Sequence, residues 1–153
     1  MKIMDILVKE GAILDLASTA KDEVLAEMAR AVAAAEPSLD PERLLSVLLE
    51  REALQSTGIG EGVAIPHGKI AGLERLVASF ARSVKGVDFD SIDGQATQLF
   101  FLLVVPEHSG GQHLKALARI SRFLRDGEFR TKLLEAGELE DVFRAIDEED
   151  AKF

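Results

Sequence analysis

Seven consecutive apolar residues, Leu99 to Val105, constrain the fold of this chain more than any other stretch. The side chains of a strand alternate between its two faces, so a strand that is apolar at every position must be buried on both. The run is far shorter than the roughly 20 apolar residues that a helix needs to cross a bilayer. We therefore predict that this segment is the central strand of a sheet covered by helices on both faces.

Helical periodicity fills much of the chain before this run. Thr19 followed by Asp22 resembles a capping box, and apolar residues then recur at helical spacing to about Ala35. Asp40, which precedes a proline, supplies the N-cap of a second helix. This second helix should deliver Arg51 to the edge of a glycine-rich loop.

Short apolar stretches between turn residues predict further strands. Ile13–Leu16 and Leu76–Ser83 have strand length, and the Asp93-Gly94 turn indicates a hairpin that leads into the apolar run. Strands that alternate with helices are typical of α/β domains. We expect residues 1–153 to form one such domain, with a mixed sheet of about five strands flanked by helices on both faces.

A helix is also predicted after the loop that follows the run. Ser109 and Gln112 have capping-box spacing, which places His113 in the first turn of this helix. A shorter helix around Phe129–Leu134 and a last amphipathic helix follow. We expect the acidic stretch Asp147–Asp150 at the end of the last helix to be solvated.

Composition excludes several classes of function. Cysteine is absent, which excludes disulfides, iron–sulfur clusters, thiolate zinc sites and cysteine nucleophiles. The formal net charge of −9, with no basic stripe to offset it, argues against nucleic acid as a partner. The start of the chain, Met1–Asp5, is unlike a secretory signal, and no stretch is apolar for long enough to insert into a membrane. We expect a cytoplasmic protein with no cofactor and no metal.

The segment Ser56–Gly68 is the most distinctive motif of the chain. Three glycines at alternate positions permit a close approach of the backbone, and they lead into a short apolar strand that ends in Pro66-His67-Gly68. Proline restricts the residue before it and has no N–H, so His67 leaves the strand in a restricted direction. Dinucleotide-binding glycines have the opposite order, because they follow a strand and open a helix, and that interpretation is rejected.

This motif resembles a known family. The segment Gly60–Gly68 (GEGVAIPHG), preceded by Arg51-Glu52 and followed by His113-Leu114 at a helix start, is similar to the enzyme IIA domain of the mannitol/fructose type. That family belongs to the bacterial phosphoenolpyruvate-dependent sugar phosphotransferase system, and the similarity spans essentially the whole chain. The stretch Ser56–Gly60 and the loop Val105–Glu107 look more like the nitrogen-regulatory branch of the family.

The resemblance implies a relay of phosphoryl groups. The histidine-containing phosphocarrier protein would donate the group to His67, and an enzyme IIB domain or a regulated target protein would be the next partner. The resemblance further implies that His113 is the second active-site histidine, that Arg51 is the active-site arginine and that Glu61 is an acidic residue lining the site. The residue types suit this chemistry, since an imidazole is a reversible phosphoryl acceptor and a guanidinium can hold phosphate oxygens.

Other interpretations of these residues stay open. His113 can be a helix-start residue with its ring in solvent, Arg51 a surface ion-pair residue and Glu61 a solvated loop residue. His108 matches no position of the family motif and is read as a solvent residue. Leu114 and Leu117, which have helical spacing, belong either to a partner-binding surface or to the core.

Alternative functions follow from the same residues. A sugar-specific enzyme IIA would pass the phosphoryl group to a separate IIB domain during fructose or mannitol uptake, whereas a regulatory enzyme IIA would control other proteins by binding them. A metal-dependent hydrolase that uses His67, His113 and Glu61 is a remote alternative, because the chain has no closely spaced ligand motif. The second remote alternative is a binding module in which His67 is never phosphorylated.

Overall fold

The apolar run forms the central strand of a mixed five-stranded sheet, as predicted. The computed structural model describes residues 1–153, and its strands are β1 Gly58–Gly60, β2 Val63–Ala64, β3 His67–Ile70, β4 Val77–Val87 and β5 Thr97–Pro106. β5 pairs in parallel with β2 and β3 on one side and antiparallel with β4 on the other. β1 forms a small antiparallel hairpin with β2. The predicted α/β class and sheet size are confirmed.

Six α-helices cover the two faces of the sheet. They are α1 Ile3–Ile6, α2 Lys21–Ala35, α3 Pro41–Leu54, α4 Gln112–Arg125, α5 Gly127–Glu135 and α6 Leu139–Lys152. Leu99, Phe101 and Leu103 of β5 pack in one hydrophobic cluster with α1, α4, α5 and α6. The alternate residues Phe100 and Leu102 pack in the other cluster, with α2 and α3. None of the helices combines the length and the apolar character that a membrane span requires.

The predicted strand Ile13–Leu16 is wrong. A 3-10 turn over Lys9–Gly11 precedes this segment, and its backbone then makes only isolated contacts with the edge of β4. Ile13 N donates to the Phe80 carbonyl at 2.9 Å, and Leu16 N donates to the Arg82 carbonyl at 2.8 Å. Such spaced bonds hold the segment against the sheet without forming a continuous ladder.

The helix starts confirm one predicted cap and contradict another. The Asp40 carboxylate accepts a hydrogen bond from Arg43 N at 3.0 Å and caps α3, as predicted. The capping box predicted at Thr19 and Asp22 is wrong, because the N-cap of α2 is Ala20, with no side-chain hydrogen bond. The N-cap thus lies one residue after Thr19, so neither member of the predicted pair stands at its capping position.

The acidic stretch of α6 is only half solvated. Asp147 and Glu148 are exposed, but Glu149 and Asp150 are each only 2% exposed. The reason is the helical period, since positions 149 and 150 continue the buried stripe that includes Val142 and Ile146. The expectation that the whole stretch is solvated was wrong for its last two residues.

Candidate functional site

A cavity of about 790 Å³ opens at the start of β3, and its lining comes from α3, β3, β5 and α4. Three of the predicted site residues, Arg51, His67 and His113, line this cavity together. The rest of the lining is largely apolar, and it includes Leu54 and Leu114, which are 83% and 62% exposed. We refer to this space below as the His67 cavity.

The sheet places His67 at the edge of the cavity. β2 and β3 both run parallel to β5, and the chain leaves the ladder between them at Ile65-Pro66 because proline has no N–H to donate. The ladder resumes with Leu103 N donating to the Pro66 carbonyl at 2.9 Å, and His67 lies opposite Leu103. The main chain of His67 is therefore fixed to the most buried strand, while its side chain is only half-buried.

The His67 ring is held by one well-defined hydrogen bond. Its Nδ1 lies 2.7 Å from the backbone carbonyl oxygen of Ile65. A carbonyl oxygen only accepts, so Nδ1 carries the hydrogen and Nε2 keeps its lone pair. Burial lowers the pKa of His67 below its ordinary value of 6.5, and Arg51 and His113 act in the same direction, whereas the Ile65 carbonyl and Glu52 oppose the shift. At neutral pH the ring is therefore mostly uncharged and nucleophilic.

His113 is the second residue of α4, in its first turn as predicted. Its Nδ1 lies 3.1 Å from the hydroxyl oxygen of Ser109. The capping box predicted for Ser109 and Gln112 is wrong, because Gly111 is the N-cap of α4 and no side chain caps the helix. Ser109 instead orients the His113 ring, a role that sequence reasoning missed. The only sequence feature that points to it is a hydroxyl four residues before a histidine.

Arg51 brings a positive charge to the same cavity from the last turn of α3. One of its Nη atoms donates to the Gln55 carbonyl at 2.7 Å, which fixes the side chain at the end of the helix. The guanidinium takes part in none of the salt bridges of the chain, so it is not the surface ion-pair residue of the alternative interpretation. Its remaining N–H donors are available to an anion.

Gly68 permits α3 to pack closely on β3. A Cβ atom built on Gly68 would overlap the Val47 side chain of α3. Val47 also lines the His67 cavity, so this close approach sets one wall of the cavity. The glycine after His67 therefore has a packing role besides leaving the imidazole uncovered.

The structure does not place Glu61 among the residues that line the His67 cavity. Glu61 lies in the turn between β1 and β2 with a φ of 59°, and its backbone N donates to Asp93 at 3.1 Å. Its side chain borders a separate depression of about 220 Å³, where it lies 3.8 Å from Arg130. His108 is exposed, as expected, and no group of three or more histidine or acidic side chains is placed to hold a metal ion.

The arrangement suits an anion that is attacked by a nucleophile. The unprotonated Nε2 of His67 is available as a nucleophile, and the guanidinium of Arg51 supplies positive charge. The start of α4, where His113 lies, adds the partial positive charge of a helix N-terminus. A transferring phosphoryl group needs positioning and neutralisation of its oxygens more than covalent help, and residues of these types are able to give both.

Comparison with known proteins gives one consistent family. The model of the phosphoenolpyruvate-dependent sugar phosphotransferase system, EIIA 2, matches residues 5–149. The nitrogen regulatory protein of Bradyrhizobium diazoefficiens is 42% identical over 147 residues, which cover 95% of each chain. The fructose-specific EIIABC component of Bacillus subtilis is 38% identical over 98% of this chain but only 24% of its own length. The crystal structure of the nitrogen regulatory protein IIA-Ntr from Neisseria meningitidis superposes with a TM-score of 0.88 at 33% identity, covering 94% of this chain and 98% of that one.

Proposed function

The chain belongs to the type 2 enzyme IIA family of the phosphoenolpyruvate-dependent sugar phosphotransferase system, and on that premise we propose that it is a phosphohistidine carrier whose acceptor atom is Nε2 of His67. The observation that carries the proposal is the 2.7 Å contact between His67 Nδ1 and the Ile65 carbonyl. That contact leaves Nε2 unprotonated in a cavity shared with Arg51 and His113. We expect the relay to operate in the cytoplasm.

The proposed transfer is a displacement at phosphorus. The lone pair of His67 Nε2 forms the new N–P bond, and the N–P bond of the donor phosphohistidine breaks, with its electron pair returning to the donor nitrogen. The hydrogen on Nδ1 stays in its bond to the Ile65 carbonyl, so the phosphorylated ring carries a positive charge. Arg51 and His113 neutralise and orient the phosphoryl oxygens. The histidine-containing phosphocarrier protein is the proposed donor.

The output of the relay is proposed to be regulatory. Two of the relatives described above are nitrogen regulatory proteins that this chain matches over nearly their whole length. The second candidate is a sugar-specific enzyme IIA that passes the group to a separate IIB domain, and the similarity to a fructose-specific component favours it. Glu61, which lies at a separate depression, is proposed to have no direct part in the transfer.

Radiolabelled phosphoenolpyruvate, enzyme I and the phosphocarrier protein test the acceptor. We expect the chain to take up one acid-labile, alkali-stable phosphate, and His67→Ala to take up none. His108→Ala is the matched control, because this exposed histidine lies outside the cavity, and it should label like the wild type. Stoichiometric labelling of His67→Ala would refute the assignment of the acceptor.

Substitution of the two neighbours of His67 tests the rest of the site. Arg51→Ala and His113→Ala should each slow phosphoryl transfer by roughly 10²-fold or more, because electrostatic donors aimed at a transition state have effects of that size. Circular dichroism should show an intact fold, since both side chains are part-exposed. Transfer rates equal to those of the wild type would remove these residues from the site.

A panel of IIB domains separates the two candidate outputs. The labelled chain should keep its phosphate in the presence of fructose- and mannitol-specific IIB domains if its output is regulatory. Rapid loss of label to one sugar-specific IIB would instead establish the sugar-uptake candidate.

A further inference from the structure

Glu52 is a buried carboxylate directly behind the His67 cavity. It follows Arg51 on α3, but it does not line the cavity, and its side chain is only 5% exposed. A buried carboxylate is costly unless its oxygens are bonded and its charge is compensated. Both conditions are met here: Lys21 Nζ lies 3.1 Å from Glu52 Oε2 and 4.9 Å from the centre of the Phe89 ring.

The other partner of Glu52 is Thr57. The backbone N of Thr57 donates to both carboxylate oxygens at 3.0 Å, and its hydroxyl donates to Oε1. Thr57 is itself buried, and it stands at the entrance to the β1 strand. Glu52 therefore fixes the main chain and the side chain of the same residue.

Thr57 transmits this restraint to His67 through two backbone bonds. The Thr57 carbonyl accepts from Ile65 N at 3.0 Å, and the carbonyl of the same Ile65 lies 2.7 Å from His67 Nδ1. The bonds form one continuous path from the carboxylate, through Thr57 and Ile65, to the imidazole. We propose that Glu52 is a positioning residue for the acceptor histidine. Through this path, Glu52 holds the His67 ring with its hydrogen on Nδ1 and its lone pair on Nε2.

The charge of Glu52 adds to this geometric effect. When Nε2 forms its bond to phosphorus and Nδ1 keeps its hydrogen, the ring changes from neutral to cationic. A fixed negative charge nearby stabilises the cation, and the opposing influence of Glu52 on the pKa of His67 has the same origin. Glu52 thus favours the phosphorylated form of the ring without touching the phosphoryl group.

Four variants test the proposal: Glu52→Gln, Thr57→Val, Thr57→Ser and, as a control, Glu42→Gln. Thr57→Ser keeps the hydroxyl that Thr57→Val removes. The control makes the same chemical change on α3 at an exposed position, about 15 Å along the helix from Glu52. Two readouts are used, the ¹⁵N shifts of the His67 ring at pH 8 without phosphate, and the rate of phosphoryl uptake from the phosphocarrier protein.

We expect a wild-type ring with its hydrogen on Nδ1. Glu52→Gln should populate the other tautomer and slow uptake about tenfold or more, since bonds that fix the tautomer of a metal-ligating histidine are worth about 10- to 100-fold. Thr57→Val should shift both readouts in the same direction by less, whereas Thr57→Ser and Glu42→Gln should match the wild type.

Unchanged ring shifts in both Glu52→Gln and Thr57→Val would overturn the proposal, even if thermal unfolding shows that the variants are less stable. The inference rests on the proposed function, but the two fail separately. If the wild type takes up no phosphate, the proposed function fails, and the ring shifts of the unphosphorylated protein still decide whether Glu52 positions His67.

Discussion

The pKa of His67 is the residue-scale property on which the proposed chemistry depends. Burial is the largest effect on this pKa and lowers it, and the positive charge of Arg51 lowers it further. The Ile65 carbonyl and Glu52 act in the opposite direction and raise it. A pKa below 6.5 means that protonation competes with phosphoryl uptake only in mildly acidic solution. Uptake should therefore be level above about pH 7 and fall as the pH drops below that range.

Arg51→Gln should raise the pKa of His67, because the substitution removes a positive charge that disfavours the imidazolium. An NMR titration of the His67 ring measures this directly, and the acidic limb of the uptake profile should move to higher pH with it. Arg43→Gln is a suitable control, since Arg43 is exposed in the first turn of the same helix and away from the cavity. A His67 pKa that stays the same or falls in Arg51→Gln would contradict the role of the guanidinium charge.

The sequence predicted part of this site at the scale of residues. Arg51, His67 and His113 were all singled out, and the structure brings them to one cavity. The contact of Ser109 with His113 and the proposed role of Glu52 were not predicted, because both depend on contacts that form only after the fold has assembled. Ser109 also fitted a capping pattern. That pattern does not show whether the hydroxyl will bond to a backbone N–H of the helix or to the ring of His113.

Glu61, which the family resemblance implied to line the site, does not border the His67 cavity. It lies six residues before His67, but in the turn between β1 and β2 its backbone N donates to Asp93 and its side chain lies near Arg130. Its positive φ and those of the glycines on either side define that turn. The direction of a side chain in such a turn is set by dihedral angles that composition does not reveal.

At the scale of elements, the length of an apolar pattern determined which strands could be predicted from the sequence. β5 was evident because ten residues of strand contain a continuous apolar run. The short apolar strand predicted before Pro66 is β2, which its flanking glycines and proline indicated although two residues show no period. β3 was not predicted: it has four residues, and it begins at His67, where the strand was expected to have ended. The segment Ile13–Leu16 has the composition of a strand, but it bonds to β4 only at spaced positions. How it pairs depends on the edge of β4, which the residues of the segment itself do not reveal.

The contact between α3 and β3 gives a prediction about packing. Gly68→Ala should destabilise the fold by about 1–3 kcal/mol, because the new methyl group would overlap Val47. The double variant Gly68→Ala with Val47→Ala should recover part of that loss, since the second change makes room for the first. Urea unfolding measures both.

Gly127→Ala serves as the control for this packing test. The nearest atom to a Cβ at Gly127 is 3.6 Å away, at the flexible end of Arg130, and Gly127 begins α5 without a positive φ, so this variant should be at least as stable as the wild type. A Gly68→Ala variant as stable as the Gly127→Ala variant would show that α3 moves away from β3 without cost.

At the scale of the whole molecule, Asp150 joins the two ends of the fold. Its carboxylate accepts from Ile3 N at 2.9 Å and Met4 N at 3.0 Å, and it lies 3.0 Å from Arg119. α1 has only four residues and cannot be stable alone, so these bonds hold it against α4 and α6. Sequence reasoning treated Asp150 as solvated because its partners are 31 and nearly 150 positions away.

Asp150→Ala should lower the free energy of unfolding by about 3–5 kcal/mol, since it leaves a part-buried Arg119 unpaired and the start of α1 uncapped. Asp147→Ala removes the same charge from an exposed position of α6 and should change stability by at most about 0.5 kcal/mol. Equilibrium urea unfolding compares the two. If Asp150→Ala and Asp147→Ala were equally stable, the hydrogen bonds and the ion pair of Asp150 would contribute no more to the free energy of unfolding than the hydration of its carboxylate in the unfolded chain.

The attachment of His67 to the central sheet also determines how partners can use it. Its main chain pairs with Leu103 and its ring is bonded to the Ile65 carbonyl, so the proposed acceptor nitrogen is not carried on a long flexible segment. In the proposed relay, the donor and the acceptor protein must both bind at the opening of the His67 cavity, and only one of them can bind there at a time. An excess of either partner should therefore inhibit turnover by competing with the other. The throughput of the relay depends on the ratio of the two partners, and it is highest when neither of them saturates the site.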